Sequence, residues 1–347
     1  MPATSIDMFF ACTLVVSVAL IATAFLAGTM QTQINSMQDL NKQDYLRTIA
    51  DHIASGYGSP ENWGSSGVVP LSFGLSEANA RSLCELNVDK VTRLNSQNVY
   101  ALSYPQIFDA ARLTNIALGV SVSQMLQIEV VASGNSSIDG ITAYTFQVLV
   151  SQDSGPVSAN LHCYSLAAGF VSEVSNATSS LGIGYVTVEL PNSSSGPAML
   201  VVFARATFDG RVTAYEVYPF AHLSDEPQPN HTFLGLSPLN HTLNVGSNYP
   251  SLTVGNVYAF SYSYQSILTS TSSSTYPIPA FTDKSPVVLV AQGSNGTVQF
   301  NEWTAYPQVP LDFGADFSHS ETNVFTYTVT INGALYKLTL RFGDVVK

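Results

Sequence analysis

Residues 8–30 read "MFFACTLVVSVALIATAFLAGTM", twenty-three positions without one Asp, Glu, Lys or Arg. A bilayer core about 30 Å thick is crossed by roughly 20 apolar residues in a helix, so the run is long enough to span. A core helix keeps a polar face, and this run has none. Secretory signal cores are shorter, about 7–15 residues, and follow basic residues. Here Asp7 precedes the run, and no Lys or Arg does. Ala22-Thr23-Ala24 offers a small-x-small cleavage pattern. Length and flanks nevertheless favour a retained anchor over a cleaved signal, with the bilayer as partner of residues 8–30.

The helical pattern continues past the apolar run. From Gln31 to Ala54 there is no Gly or Pro, and Tyr45, Ile49 and Ile53 recur every four residues. Gly56, Gly58 and Pro60 then supply a stop. A helix of about 48 residues is roughly 70 Å long. Lys42 and Arg47 pull the downstream side toward the cytoplasm, whereas the glycan acceptors and β-rich body place it at the cell exterior. The acceptors are the stronger argument.

Charged residues make up 10% of the 347, with a net charge of −12, against about 25% charged in soluble proteins. Twelve scattered basic residues give no phosphate-binding patch, so nucleic acid is excluded as a partner. This length implies two or three domains. Asn-x-Ser/Thr occurs at Asn135, Asn176, Asn192, Asn230, Asn240 and Asn295, several beside turn formers. Of three cysteines, Cys12 lies in the apolar run. Cys84 and Cys163 are either a disulfide suited to an oxidising exterior or two buried thiols.

Beyond the stop, "VVPLSFGLS" (68–76) reads as a strand, with helices expected over 88–94 and 104–112, the latter capped by Ser103 with Pro105 in its first turn. "MLQIEVV" (125–131) and "ITAYTFQVLV" (141–150) alternate as half-buried strands. "AMLVVFARATFDGRVTAYEVYPF" (198–220) reads as a hairpin closed at Asp209-Gly210, and "LSDEPQPNHT" (223–232) as a linker. "VFTYTVTINGALYKLTLRF" (324–342) is a hairpin turning at Asn332-Gly333, with Tyr336, Leu338, Leu340 and Phe342 on one face. Lys337 and Arg341 read there as guards of an open edge.

No spacing for catalysis is visible. The six histidines, His52, His162, His222, His231, His241 and His319, form no H-x-x-x-H pair. His162 and Cys163 are neighbours that point to opposite faces of a strand, so no metal site is expected there. Neither a nucleophile elbow nor a P-loop nor a dinucleotide fingerprint is present. "DFGADF" (312–317) carries the letters of a kinase motif without its companions. Asp312 and Asp316 are solvated loop acids, since calcium needs six to eight oxygens. "YAFSYSYQ" (258–265) reads as strand packing rather than a sugar platform.

A long helix, apolar first and amphipathic second, that leads into a β-rich head resembles the type IV pilin-like membrane proteins of archaeal cell surfaces. "YGSPENWG" (57–64), "LNVDKVTRLNS" (86–96) and "SYPQIFDAARL" (103–113) are similar to stretches of that family, and the resemblance covers residues 5–135. Pilin precursors carry a basic leader and a small residue before the apolar helix. Neither stands before Met8 here, so the expectation is an uncut, pilin-like surface anchor. The later strands resemble immunoglobulin-like modules of bacterial and archaeal surface proteins.

The expected fold is α+β, mainly β. It comprises a transmembrane and stalk helix (1–55), a small α+β pilin-like head (56–137), an immunoglobulin-like β-sandwich (138–222) and a C-terminal β-sandwich module (223–347). The expected function is a non-enzymatic, cofactor-free, single-pass surface protein with a structural or adhesive role. It would meet other surface proteins or like subunits through its N-terminal helix. The alternatives are a carbohydrate- or peptide-binding receptor component and an anchored extracellular hydrolase.

Overall fold

The computed structural model describes residues 3–80, 84–272, 274–317 and 322–344. The chain is mostly β with one long N-terminal helix, and it falls into two compact units, Met1–Ala50 and Asp51–Lys347. Helix α1 (Ala3–Ser55) is unbroken, and Gly56 N–H donates to His52 O at 2.7 Å to close it. The four-residue apolar line is not one buried stripe, because Tyr45 is exposed while Ile53 is buried.

The head is built around an indole. Helix α2 (Trp63–Ser66) buries Trp63, and the next helix, α3 (Val88–Thr92), brings Lys90 to 5.8 Å from the ring centroid. Arg93, just past α3, lies 5.7 Å from it. Both cations are buried, and the hydrogen bonds that hold them go to backbone carbonyls. Lys90 Nζ donates to the Tyr57 and Ser76 carbonyls at 2.8 Å. The Arg93 guanidinium donates to those of Trp63, Gly67, Val68 and Tyr100. Backbone dipoles thus replace water around two charges, the condition for burying them. The segment 68–76 is not a strand. Its donors go to scattered acceptors: Phe73 to Ala110 O, Leu75 to Ile53 O and Ser76 to Gly56 O. Helix α4 (Tyr104–Ala111) starts as expected, with Ser103 N–H donating to Gln106 Oε1 at 2.8 Å.

Strand β1 (Ile116–Gln124) follows, a strand the sequence reading did not anticipate. The first β module then comprises β2 (Gln127–Ile138), β3 (Ile141–Gln152), the short β4 (Gly155–Pro156), β5 (Ala159–Ala167), β6 (Phe170–Ala177), β7 (Ile183–Pro191), β8 (Gly196–Ala206) and β9 (Thr213–His222). In one sheet β3 pairs with β2, β7 and β4; the other runs β6-β5-β8-β9. The second module contains β10 (Leu234–Leu239), β11 (Thr242–Ser247), β12 (Leu252–Phe260), β13 (Gln265–Leu268), β14 (Thr275–Pro277), β15 (Val287–Asn295) and β16 (Val298–Tyr306). Its sheets run β10-β11-β14 and β13-β12-β15-β16. Setting β4 aside, both modules follow one plan: the first, second and fifth strands form one sheet, and the fourth, third, sixth and seventh the other.

The two four-stranded sheets face each other. Tyr164 and Phe203 of the first module pack in one core with Phe260 and Val290 of the second, and the Tyr164 and Phe260 rings lie 4.9 Å apart. On its other face the β6-β5-β8-β9 sheet shares a core with Phe146, Val148 and Val186. Hence every residue of "AMLVVFA" (198–204) is buried, alternating between two cores. The expected turn at Asp209-Gly210 is instead a longer loop between Ala206 and Thr213. Asp209 Oδ1 accepts from Arg211 N–H at 2.9 Å, the Asx geometry that competes with a tight primed turn.

The last strands leave the second module. β17 (Leu311–Gly314), β18 (Thr322–Ile331) and β19 (Ala334–Asp344) join β1 in the order β17-β1-β19-β18. Asn332 and Gly333 turn with φ of 49° and 85°, and Tyr336, Leu338, Leu340 and Phe342 are buried. β19 is therefore an inner strand. Lys337 and Arg341 do not guard an edge but pair with Asp153 and Asp312. The hairpin is stitched to the start of the head by Tyr327 Oη–H donating to Asp51 Oδ1 at 2.7 Å and by a parallel bridge between Glu85 and Thr330. Head and second module also share buried polar bonds. Asp89 Oδ1 accepts from Tyr306 Oη–H and Asn240 N–H at 2.8 Å, and Asn98 Nδ2–H donates to Gln308 Oε1 at 2.7 Å.

Two outcomes are expected. A chain ending at Thr330 loses the strand between β1 and β18, so its Trp63 emission shifts to the red and its melting transition drops. An unchanged melt contradicts this pairing. Burial pulls Lys90 down from 10.5 to about 8, against the upward pull of Glu77 and Glu61. The unfolded chain therefore holds the extra proton between these two values, and the Lys90 contribution to stability rises with pH across that window. In urea titrations wild type should gain roughly 2 kcal/mol on Lys90→Met between about pH 7.5 and about pH 10. A constant difference would contradict the burial.

Candidate functional site

Among the described residues, one helix is long and apolar enough to cross a membrane, over Met8–Leu26. Every residue of this 19-residue stretch is exposed, Phe9, Ile21 and Phe25 at 70% or more. Exposed apolar surface of this extent marks contact with lipid or another protein. The polar groups inside it are internally satisfied. Ser17 Oγ–H donates to Thr13 O at 2.7 Å and Thr23 Oγ1–H to Ala19 O at 2.9 Å, as a water-free setting requires. Cys12 is an exposed thiol within the stretch.

The glycan-acceptor asparagines divide by environment. Asn135 on β2, Asn176 on β6 and Asn240 in the β10–β11 turn are exposed; Asn192, Asn230 and Asn295 are half-buried. Asn230 is engaged at both ends, its Nδ2–H donating to Trp303 O and its Oδ1 accepting from Trp303 N–H, each at 2.9 Å. That is a side chain acting as a strand. Asn192 Oδ1 accepts from Thr142 Oγ1–H at 2.7 Å, and Asn176 Nδ2–H donates to Tyr185 O.

Cys84 and Cys163 are both free thiols in the structure. Cys163 lies in the core between the two sheets of the first module, where burial pushes its thiol up to about 12; burial and Asp51 raise that of Cys84. His162 turns to the other face, 2.9 Å from Glu173 and stacked near Tyr164. His222 is buried, with Tyr144 Oη 2.9 Å from Nδ1 and Pro191 O 3.0 Å from Nε2, so Nε2–H donates to that carbonyl. Burial lowers the pKa of His231. His241 packs edge-on against Tyr306, His52 is exposed, and His319 lies outside the described residues. Asp312 is held by Arg341, and Asp316 is exposed. No group of three or more His, Cys, Asp or Glu able to hold a metal occurs among the described residues.

Sequence reasoning missed the buried cations. Lys90 and Arg93, three apart, present one helical face to Trp63, and that spacing was the available signal. It also missed a cavity at the seam of the modules, lined by Gly169, Asn256, Gln292, Gln299 and Asn301 among others. Its residues come from five separate stretches, and no motif announces them.

No family model matches the chain, and no curated protein matches it. Among solved structures, human GIVD cytosolic phospholipase A2 aligns at 8% identity over 67% of this chain, with a TM-score of 0.16. The aligned region spans a third of the length of that enzyme, 33%. A likeness of this size defines neither fold nor activity.

Peptide mapping of the protein from its native membrane should find sugar at Asn135 and Asn240 and none at Asn230. Full occupancy of Asn230 would contradict its bonds to Trp303.

Proposed function

We propose that this chain is a non-enzymatic, membrane-anchored cell-surface protein, pilin-like at its N-terminal end, with a structural or adhesive role. The observation that carries this reading is the exposed apolar stretch Met8–Leu26 at the start of one continuous helix. Lipid removes such a surface from water at roughly 25 cal/mol per Å2 of apolar area. The stretches similar to the pilin-like family, "YGSPENWG" and "LNVDKVTRLNS", supply Trp63, Lys90 and Arg93 to the head core. A shared core of this kind is a physical reason for such sequences to recur. The immunoglobulin-like reading of the modules is supported by their plan, seven strands in a three-stranded and a four-stranded sheet. Exposed acceptor asparagines favour the exterior for the body.

The test is fractionation. The full chain should stay in the membrane pellet through alkaline carbonate, a chain lacking residues 1–30 should be released, and protease added to intact cells should degrade the β modules. Recovery of the natural protein from the medium without residues 8–30, or protection of the modules in intact cells, overturns the proposal. A second reading, saccharide binding, is favoured by the seam cavity.

A further inference from the structure

The two β modules meet at one end in a cavity of about 320 Å3, at the lower end of the range of about 300–1,000 Å3 usual for small-ligand sites. Two local irregularities line it and a third adjoins it. The β5–β6 turn places Ala168 and Gly169 at φ of 38° and 83°, a left-handed conformation that alanine rarely adopts. β12 breaks register between Val254 and Val257, which lifts Gly255 and Asn256 out of the ladder at the cavity wall. Gly196, with φ of 144°, leaves space that Gln299 Oε1 fills, 2.5 Å from where a Cβ would stand. Bulges and held strain gather where a chain re-aims side chains at a ligand.

The back wall is a fixed relay of amides. Gly169 N–H donates to Gln292 Oε1 at 3.1 Å, Gln292 Nε2–H to Asn301 Oδ1 at 2.9 Å, and Asn301 Nδ2–H to Pro197 O at 2.7 Å. In front of it stand two exposed amides, Asn256 and Gln299. Asn256 Nδ2–H donates to Tyr258 Oη at 3.1 Å, which anchors this exposed amide at the cavity wall. Among the described residues lining the cavity there is no Asp, Glu, Lys or Arg. An uncharged wall gives an ion nothing to offset the loss of its water. Carboxamides donate and accept side by side, the complement of hydroxyl groups that do both. A neighbouring cavity of about 470 Å3 shares Pro197 and Gln299 and adds Ser195, Ser224, Asp225 and Glu226. Its two acids stand beside the uncharged cavity and disfavour an acidic ligand there.

We propose that this seam cavity binds a neutral saccharide, with Asn256 and Gln299 as the side chains that contact it. The inference deepens the adhesive reading and rests on it only for the cell-surface setting. A failure of anchoring shows in fractionation, whereas a failure of this site shows in the detergent-solubilised chain.

The experiment applies the full chain in detergent micelles to an array of neutral and acidic oligosaccharides, followed by calorimetric titration of the best neutral one. Neutral hexose or N-acetylhexosamine oligomers should bind. Asn256→Ala and Gln299→Ala should each weaken binding about tenfold or more with an unchanged thermal melt. Gln147→Ala, on the distant face of β3, should bind as wild type does. Absence of neutral-glycan binding above the micelle blank, equal binding of sialylated or uronate oligomers, or affinity indifferent to both substitutions overturns the proposal.

Discussion

A β-sheet with two apolar faces needs two covers, and most of this molecule follows from supplying them. In the β6-β5-β8-β9 sheet, Leu161 and Cys163 face one core while Tyr164 and Leu166 face another. The first cover is the module's own β2-β3-β7 sheet; the second is the four-stranded sheet of the next module. Burying a Val, Leu or Phe side chain is worth about 1.5–3 kcal/mol, so separating the modules would expose a second core to water. The seam is thus internal structure, and the cavity at its end is lined by residues of both modules.

Both modules follow one strand plan and join through the same sheet of that plan. The third strands supply Tyr164 and Phe260, whose rings touch, and the seventh supply Tyr215 and Trp303, 6.2 Å apart. Like elements meet like elements, as in an isologous dimer joined into one chain. No repeat is visible in the sequence, because the plan requires only alternation and turns, which many residues satisfy.

The head is closed by both ends of the body's chain. β1 pairs with β19, and Tyr327 bonds Asp51, so residues near 51 and near 340 lie in one compact unit. The charges buried there are held by backbone groups. Lys90 and Arg93 use carbonyls, and in the second module Glu302 accepts from Phe233 N–H and Leu234 N–H at 2.6 Å. Burial raises the pKa of Glu302 and these bonds pull it down. In a chain with 10% charged residues, buried charges of both signs are thus bonded to the main chain.

Local chemistry was legible where neighbours in sequence are neighbours in space. The apolar stretch of α1, its end at Ser55, the Ser103–Gln106 start of α4 and the Asn332–Gly333 turn are each decided within a few residues, by side-chain hydrophobicity, capping bonds and allowed φ. Partnership was not legible, because a strand's pattern states how many faces are apolar and not what covers them. The hairpin at 322–344 reads the same whether it closes the second module or, as found, flanks β1. Likewise "AMLVVFA" announces burial on both sides, but only the tertiary structure decided that a second module provides the other side. Asn256, Gln292, Gln299 and Asn301 are ordinary polar residues in the sequence. Long-range packing makes them one surface, since contacts between distant segments depend on the shapes of whole sheets.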